Sequence, residues 1–191
     1  MTPGDLLRLS RTSREHSCLI KEFVSTKYSV DTHLSRFFPG TLYPSFRSLQ
    51  ARTGLVIFGA VALDFFTRTI DTNAVLDLMV ENYFSVDAAI WLKTRGFLLL
   101  DDKDEDDGIS HFDDIPPGAS DSYGSNSDSQ DLTPEIEKYS NGAFTIHLWI
   151  ARHTTLEKVL GSNLTCTMNF ITANEAVCLY PQSTLQDGIS L

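Results

Sequence analysis

The sequence predicts an α+β domain, a small mixed sheet with helices packed on one face, interrupted by a disordered acidic insertion. Three observations carry this. Residues 53–81 read as an apolar strand (55–58), a small-residue turn (Gly59-Ala60), a helix (61–68) and a second strand (74–81). Residues 75–81 and 143–150 both alternate in character, with Leu76, Leu78 and Val80 on one face of the first. Finally, the net charge of -10 is concentrated in one segment. Residues 101–131 hold eleven Asp/Glu and one Lys, 1 - 11 = -10, which leaves 25 - 11 = 14 acids and 15 - 1 = 14 bases elsewhere.

Length and composition set the frame. A chain of 191 residues with a 42% hydrophobic share is one domain with a real core. Mean hydropathy is -0.09, and no apolar run approaches the roughly 18 residues of a membrane span. Residues 1–14 lack an apolar signal core, so an intracellular location (cytoplasm or nucleus) is expected, with no membrane partner. Cys18, Cys166 and Cys178 are odd in number and widely spaced, as free thiols are. A neutral body lacks the clustered Lys and Arg that a nucleic-acid groove needs.

Taken in order, residues 1–30 read as a frayed leader followed by a helix over 15–27, on which Leu19, Phe23 and Val24 recur at helical spacing. The main domain spans 31–184, with a tail over 185–191. Asp31 is the expected N-cap of a helix over 32–38, stopped by Pro39-Gly40. Pro44 sits in the first turn of a helix over 45–52. The strand 55–58 is apolar throughout, as a doubly covered strand is. Ala62, Leu63, Phe65 and Phe66 stripe the following helix. Ser85 caps a helix to Arg95, Gly96 ends it, and 97–100 form an edge strand. Residues 101–133, rich in Asp, Ser and Gly, cannot bury enough apolar surface to fold and read as the disordered insertion. The chain resumes with the strand 143–150, a short helix capped by Thr154 or Thr155, an apolar segment 166–171 read as helical, and a short edge strand around Val177. No Walker A loop, dinucleotide fingerprint, nucleophile elbow or paired-histidine spacing is present.

Several blocks occur in a telling order. They are Arg36-Phe37-Phe38; Phe46-Arg47 with Gln50-Ala51-Arg52-Thr53-Gly54; and Phe58-Gly59-Ala60 with Ala62-Leu63 and Phe65-Phe66. Leu76-Asp77-Leu78, the run Thr165 through Ile171, and Leu179-Tyr180-Pro181 complete the set. Together, over residues 34–184 without the insertion, they resemble an expanded family of uncharacterised fungal proteins similar to the nucleotidyltransferase superfamily. The resemblance implies a Gly-Ser turn whose helix N-terminus cradles phosphate, then a strand with Asp-x-Asp. Carboxylates at i and i+2 share a strand face and hold divalent metals about 3.5–4 Å apart; a third carboxylate comes from a neighbouring strand.

This chain departs from that pattern. Gly59 matches the glycine of the phosphate loop, but Ala60 replaces the serine; Asp77 matches the second acid, but Val75 replaces the first. Glu81 shares the face of Asp77 but lies four residues on, about 13 Å at roughly 3.3 Å per residue. Asp71 lies in the preceding loop, and His147 on the next strand offers nitrogen, which Mg²⁺ disfavours. Asp77 is therefore the lone catalytic and metal-binding candidate, with Gly59 and Ala60 as the nucleotide-phosphate loop. The expected function is a catalytically degraded nucleotidyltransferase-like domain, a pseudoenzyme acting as a scaffold or binding module for an unknown protein partner, with no cofactor. Two alternatives stand beside it. One is an active enzyme that binds nucleotide and Mg²⁺ through Asp77 and a non-standard second carboxylate such as Asp71. The other is an interaction protein working through the acidic segment, whose serines suit phosphorylation by an acid-directed kinase.

Overall fold

A computed structural model describes residues 3–100, 135–162 and 164–187. The acidic insertion predicted over 101–133 lies outside the described residues, as does the end of the tail. The chain folds as a mixed α/β structure around a seven-stranded mixed sheet, in the order β3-β4-β5-β2-β1-β6-β7. Its strands are β1 (Val56–Phe58), β2 (Leu76–Glu81), β3 (Leu98–Leu99), β4 (Glu135–Ser140), β5 (Thr145–Ala151), β6 (Asn169–Ile171) and β7 (Ala176–Cys178). The helices are α1 (Pro3–Ser10), α2 (Arg14–Lys27), α3 (Val30–Leu34), α4 (Leu42–Thr53), α5 (Gly59–Thr67), α6 (Ser85–Thr94) and α7 (Thr155–Leu160). β2 runs parallel to β5 and antiparallel to β1; the remaining neighbours are antiparallel.

The two faces of the sheet are unequal. Leu76, Leu78 and Val80 of β2 and Ile146 and Leu148 of β5 meet α4, α5 and α6 in the main core. Helices α5 and α6 thus pack on one face, as the alternation of 75–81 predicts. At the centre of this core the Phe38 and Phe46 rings stack at 4.1 Å between centroids, and Trp91 closes edge-on at 5.7 Å. The Trp91 indole N–H donates to the Ser45 hydroxyl at 2.9 Å, so the one polar atom of that ring is satisfied. The opposite face carries a smaller cluster, Val56, Met79, Ala151, Val159 and Phe170, covered by α7. α7 is capped by Thr154, which accepts from the Glu157 N–H at 3.2 Å.

Several elements differ from the sequence reading. Within the stretch read as a frayed leader, α1 forms over Pro3–Ser10, packs on α2 and buries Leu6. Ser29, not Asp31, caps α3, accepting from the Thr32 N–H at 3.2 Å, and the helix ends at Leu34. Asp31 instead accepts from the Tyr43 hydroxyl, and burial together with that carboxylate pushes the Tyr43 phenol up to about 12. Gly59-Ala60 is the first turn of α5 and not a separate loop. Ser85 gives no side-chain cap; a 3₁₀ turn, Asn82–Phe84, leads into α6 instead. Residues 166–171 do not form the expected helix. A 3₁₀ turn at Thr165–Thr167 delivers the strand β6, which pairs with β1. β4 lies outside the strands that the sequence predicts, because Glu135-Ile136-Glu137-Lys138 reads as polar. Its core-facing Glu137 accepts from the buried Tyr139 hydroxyl at 2.7 Å, which hides the alternation. The Asn141-Gly142 dipeptide before β5 is the hairpin signal that marks it.

Two buried or half-buried polar side chains tie distant elements together. Gln50, 1% exposed, donates to the Leu55 carbonyl at 3.3 Å and the Ile171 carbonyl at 3.2 Å, joining α4 to the start of β1 and to β6. Beside it Arg47 donates to the Thr172 carbonyl at 3.0 Å and also reaches that of Ala173, holding the β6–β7 turn. Replacing Gln50 by Leu strips both carbonyls of a buried donor, and stability is expected to fall by about 1–3 kcal/mol in urea unfolding. An unchanged midpoint would show that water replaces the amide.

His33 pins α3 to α5 through its Nε2–H, which donates to the Val61 carbonyl at 2.9 Å. Burial, opposed by that hydrogen bond, holds its pKa below the usual 6.5. In acid the unfolded chain therefore takes up this proton first, so the contribution is complete above pH ~6.5 and is lost as pH falls towards the lower folded value. Comparing unfolding free energies at pH about 7.5 and about 5.5, His33→Gln is expected to lose less stability on acidification than the wild type.

Candidate functional site

The site anticipated around Asp77 lies where β1, β2 and β5 meet, on the sheet face opposite the main core. In register, Asp77 pairs with Phe58 on β1 and with His147 on β5. Its side chain is 19% exposed and its oxygens have separate surroundings. Oδ1 accepts from the Trp149 indole N–H at 3.1 Å and lies 3.4 Å from His147 Nδ1. Oδ2 lies against Gly59: a Cβ built on that glycine would come within 2.7 Å of it. Gly59 also has φ +68°, the left-handed region that disfavours side chains. The Phe58 and Trp149 rings meet edge-on at 5.7 Å and wall the carboxylate.

The structure thus brings Asp77, Gly59 and His147 together and adds Trp149. Alternation along 143–150 puts Trp149 on the same face as His147, two residues further on. The signal that finds it is the parallel register: the β5 residues facing this side alternate with those of the core, so Trp149 follows His147 beside β2. Ala60, the second residue of α5, is exposed and offers no side-chain donor. Glu81 pairs with Ala151 at the far end of β2. Asp71 is engaged in its own loop. Its Oδ1 accepts from the Asn73 N–H at 2.9 Å, and its N–H donates to Asp64 Oδ2 at 3.2 Å. Its carbonyl accepts from Arg36 at 2.9 Å, while Arg36 also pairs with Asp64 at 3.6 Å.

These residues do not fit Mg²⁺. The i-2 position is Val75, just before β2, and the register neighbours of Asp77 are an aromatic and an imidazole rather than carboxylates. Trp149 is a donor only and cannot ligate a cation. Among the described residues no group of three or more His, Cys, Asp or Glu is placed to hold a metal ion. The Asp77–His147 pair has the makings of a base and its orienting acid, but the register neighbours Phe58 and Lys138 supply no hydroxyl or thiol nucleophile. Two surface hollows of the described residues open elsewhere. One, of ≈ 240 Å³, is lined by Arg152, His153 and Lys158 around the start of α7; the other, of ≈ 250 Å³, lies between Gln50 and Asn174. Chemistry and not concavity singles out Asp77.

No family model matches the chain, and no curated protein or solved structure matches it either.

Gly59→Ala is expected to destabilise through two effects, the left-handed backbone and the Cβ against Asp77 Oδ2, together on the order of 1–3 kcal/mol. Removing the carboxylate relieves only the second. The cost of Gly59→Ala should therefore be smaller in an Asp77→Ala background, a non-additivity read from four unfolding curves. Strict additivity would mean that the two residues do not touch.

Proposed function

We propose that this chain is a nucleotidyltransferase-like domain whose catalytic site has degraded, and that it works as a scaffold or binding module for a protein partner. One observation carries the reading: Asp77 Oδ1 accepts the Trp149 indole N–H at 3.1 Å while Oδ2 is seated on Gly59. The carboxylate that would hold a metal is a structural acceptor between β2, β5 and the start of α5. Replacement of the first acid by Val75 and of the loop serine by Ala60 points the same way, since both metal bridging and phosphate contact lose a group.

An active enzyme would need a second carboxylate next to Asp77. Asp71 is the sequence candidate, and its engagement by Asn73, with Asp64 and Arg36 on its backbone, argues against that role.

The reading is tested by thermal melts with millimolar Mg²⁺ or Mn²⁺ and each nucleoside triphosphate. A ligand at about 100 times its Kd adds about 2.7 kcal/mol, about 5–10 °C for a chain of this size. No shift is expected. Asp77→Asn, which keeps an oxygen for Trp149, should melt close to the wild type, whereas Asp77→Ala should melt lower. A nucleotide- or metal-dependent shift abolished by Asp77→Asn would overturn the proposal and restore the catalytic site.

A further inference from the structure

We infer that the hollow between the end of β5 and α7 is a binding site for a phosphate monoester. This site is separate from Asp77 and does not depend on whether the catalytic site has degraded.

Two elements build the hollow. β5 ends at Ala151, an Arg152-His153 bend follows, and α7 runs over Thr155–Leu160. Buried Val159 of α7 belongs to the same cluster as Ala151, Val56, Met79 and Phe170, which fixes the helix to the strand end. The space between them is ≈ 240 Å³, and Arg152, His153, Thr154, Glu157 and Lys158 are in its lining.

The chemistry of that lining is one-sided. Arg152 and Lys158 are cations, His153 brings a ring N–H, and Glu157 is the single carboxylate. Among the described residues no ion pair or side-chain hydrogen bond engages Arg152, His153, Lys158 or the Glu157 carboxylate. Other arginines of the chain are employed: Arg36 pairs with Asp64, Arg47 holds two backbone carbonyls, and Arg52 pairs with Asp87. Glu81, level with Ala151 in the β2–β5 register, does not line the hollow. Cations that share a concave site repel one another, and an anion between them removes that cost.

The donors select the anion. A guanidinium offers a planar fork to two oxygens, and an ammonium adds a further charge-assisted contact. The Thr154 oxygen accepts the Glu157 N–H at 3.2 Å, and its own hydroxyl proton remains to be donated. The start of α7 is thereby capped from within the chain, so side chains alone supply the contacts to the anion. A phosphate monoester brings three terminal oxygens and a charge of about -1.5 to -2 near neutral pH, which suits two cations and a hydroxyl. A carboxylate, with two oxygens and one charge, leaves a cation unmet. A free phosphomonoester and a phosphorylated side chain of a protein partner present this same group.

The probe is a fluorescein-labelled Gly-Gly-phosphoserine-Gly-Gly peptide, titrated into the full chain at low salt without divalent metal and read by anisotropy. It is expected to bind saturably with a Kd of about 1 mM or tighter, and its unphosphorylated form at least about tenfold more weakly. Inorganic phosphate should displace it, and acetate at equal ionic strength should do so at least about tenfold less well. Displacement by phosphate at a concentration near the peptide Kd assigns the site to a free phosphomonoester. A peptide that binds at least about tenfold tighter than phosphate assigns it to a phosphorylated partner. Arg152→Gln and Lys158→Gln, both at exposed positions, should each weaken the peptide about tenfold without lowering the melting temperature. Glu157→Gln should tighten it, and Lys93→Gln, an exposed cation on α6, should leave it unchanged. No binding, equal binding of the two peptides, equal displacement by acetate, or the same effect from Lys93→Gln as from Arg152→Gln would overturn the inference. In the nucleotide melts the divalent metal is carried on the triphosphate and offsets much of its charge. Arg152→Gln should therefore leave those melts unchanged, and Asp77→Asn should leave peptide binding unchanged, so failure here and failure of the degraded-site reading are separately visible.

Discussion

The Asp77 carboxylate rests directly on the backbone of Gly59, and much of the sheet is arranged around that contact. Gly59 must be glycine twice over, for its φ of +68° and for the space its missing Cβ leaves to Oδ2. Because the chain turns so tightly there, α5 can begin immediately after β1 and then return to β2 beside it. The other oxygen draws in Trp149 and His147 and so joins β5 to β2 in parallel register. A half-buried carboxylate needs such partners, since an unpaired buried charge is costly. The Trp149 hydrogen bond and the His147 and Gly59 contacts therefore act as positional constraints on β2, β5 and the start of α5.

A second set of constraints lies at the other end of β1. Gln50 and Arg47 reach from α4 to the backbone carbonyls of Leu55, Ile171 and Thr172. These bonds bring β6, well over a hundred residues later in the chain, against β1. Residues quoted for the family resemblance, Arg36, Arg47 and Gln50, thus have architectural work in this chain: two hold the β6 side, and Arg36 holds the α5–β2 loop through Asp64 and Asp71. Local backbone satisfaction is enough to explain each of them.

The two sheet faces have different fates. One is filled by α4, α5, α6 and a stack of aromatic rings. Among the described residues the other is covered by α7 over one end, and Asp77 lies on that same face between β1 and β5. A half-buried carboxylate at this position is enclosed enough to act as a structural acceptor.

Local patterning determined a good deal of this protein. The period-2 alternation of 75–81 and 143–150, the apolar run of 55–58 and the glycines at 54, 59 and 96 suffice to place β1, β2, β5, α5 and α6 and to put Asp77 and His147 on one side. The localisation of all the net charge in 101–131 is likewise a property of the sequence alone. Tertiary structure decided the rest. β4 and β6 are strands because they complete hydrogen-bond ladders on β5 and β1, not because Glu135–Ser140 or residues 166–171 prefer extended backbone. α1 is a helix because α2 is there to bury Leu6. Above all, the state of Asp77 was decided in three dimensions. Sequence placed a carboxylate after a glycine turn, but only strand register brought the Trp149 N–H to one oxygen and the bare backbone of Gly59 to the other, because pairing across strands is a long-range choice that no local window contains.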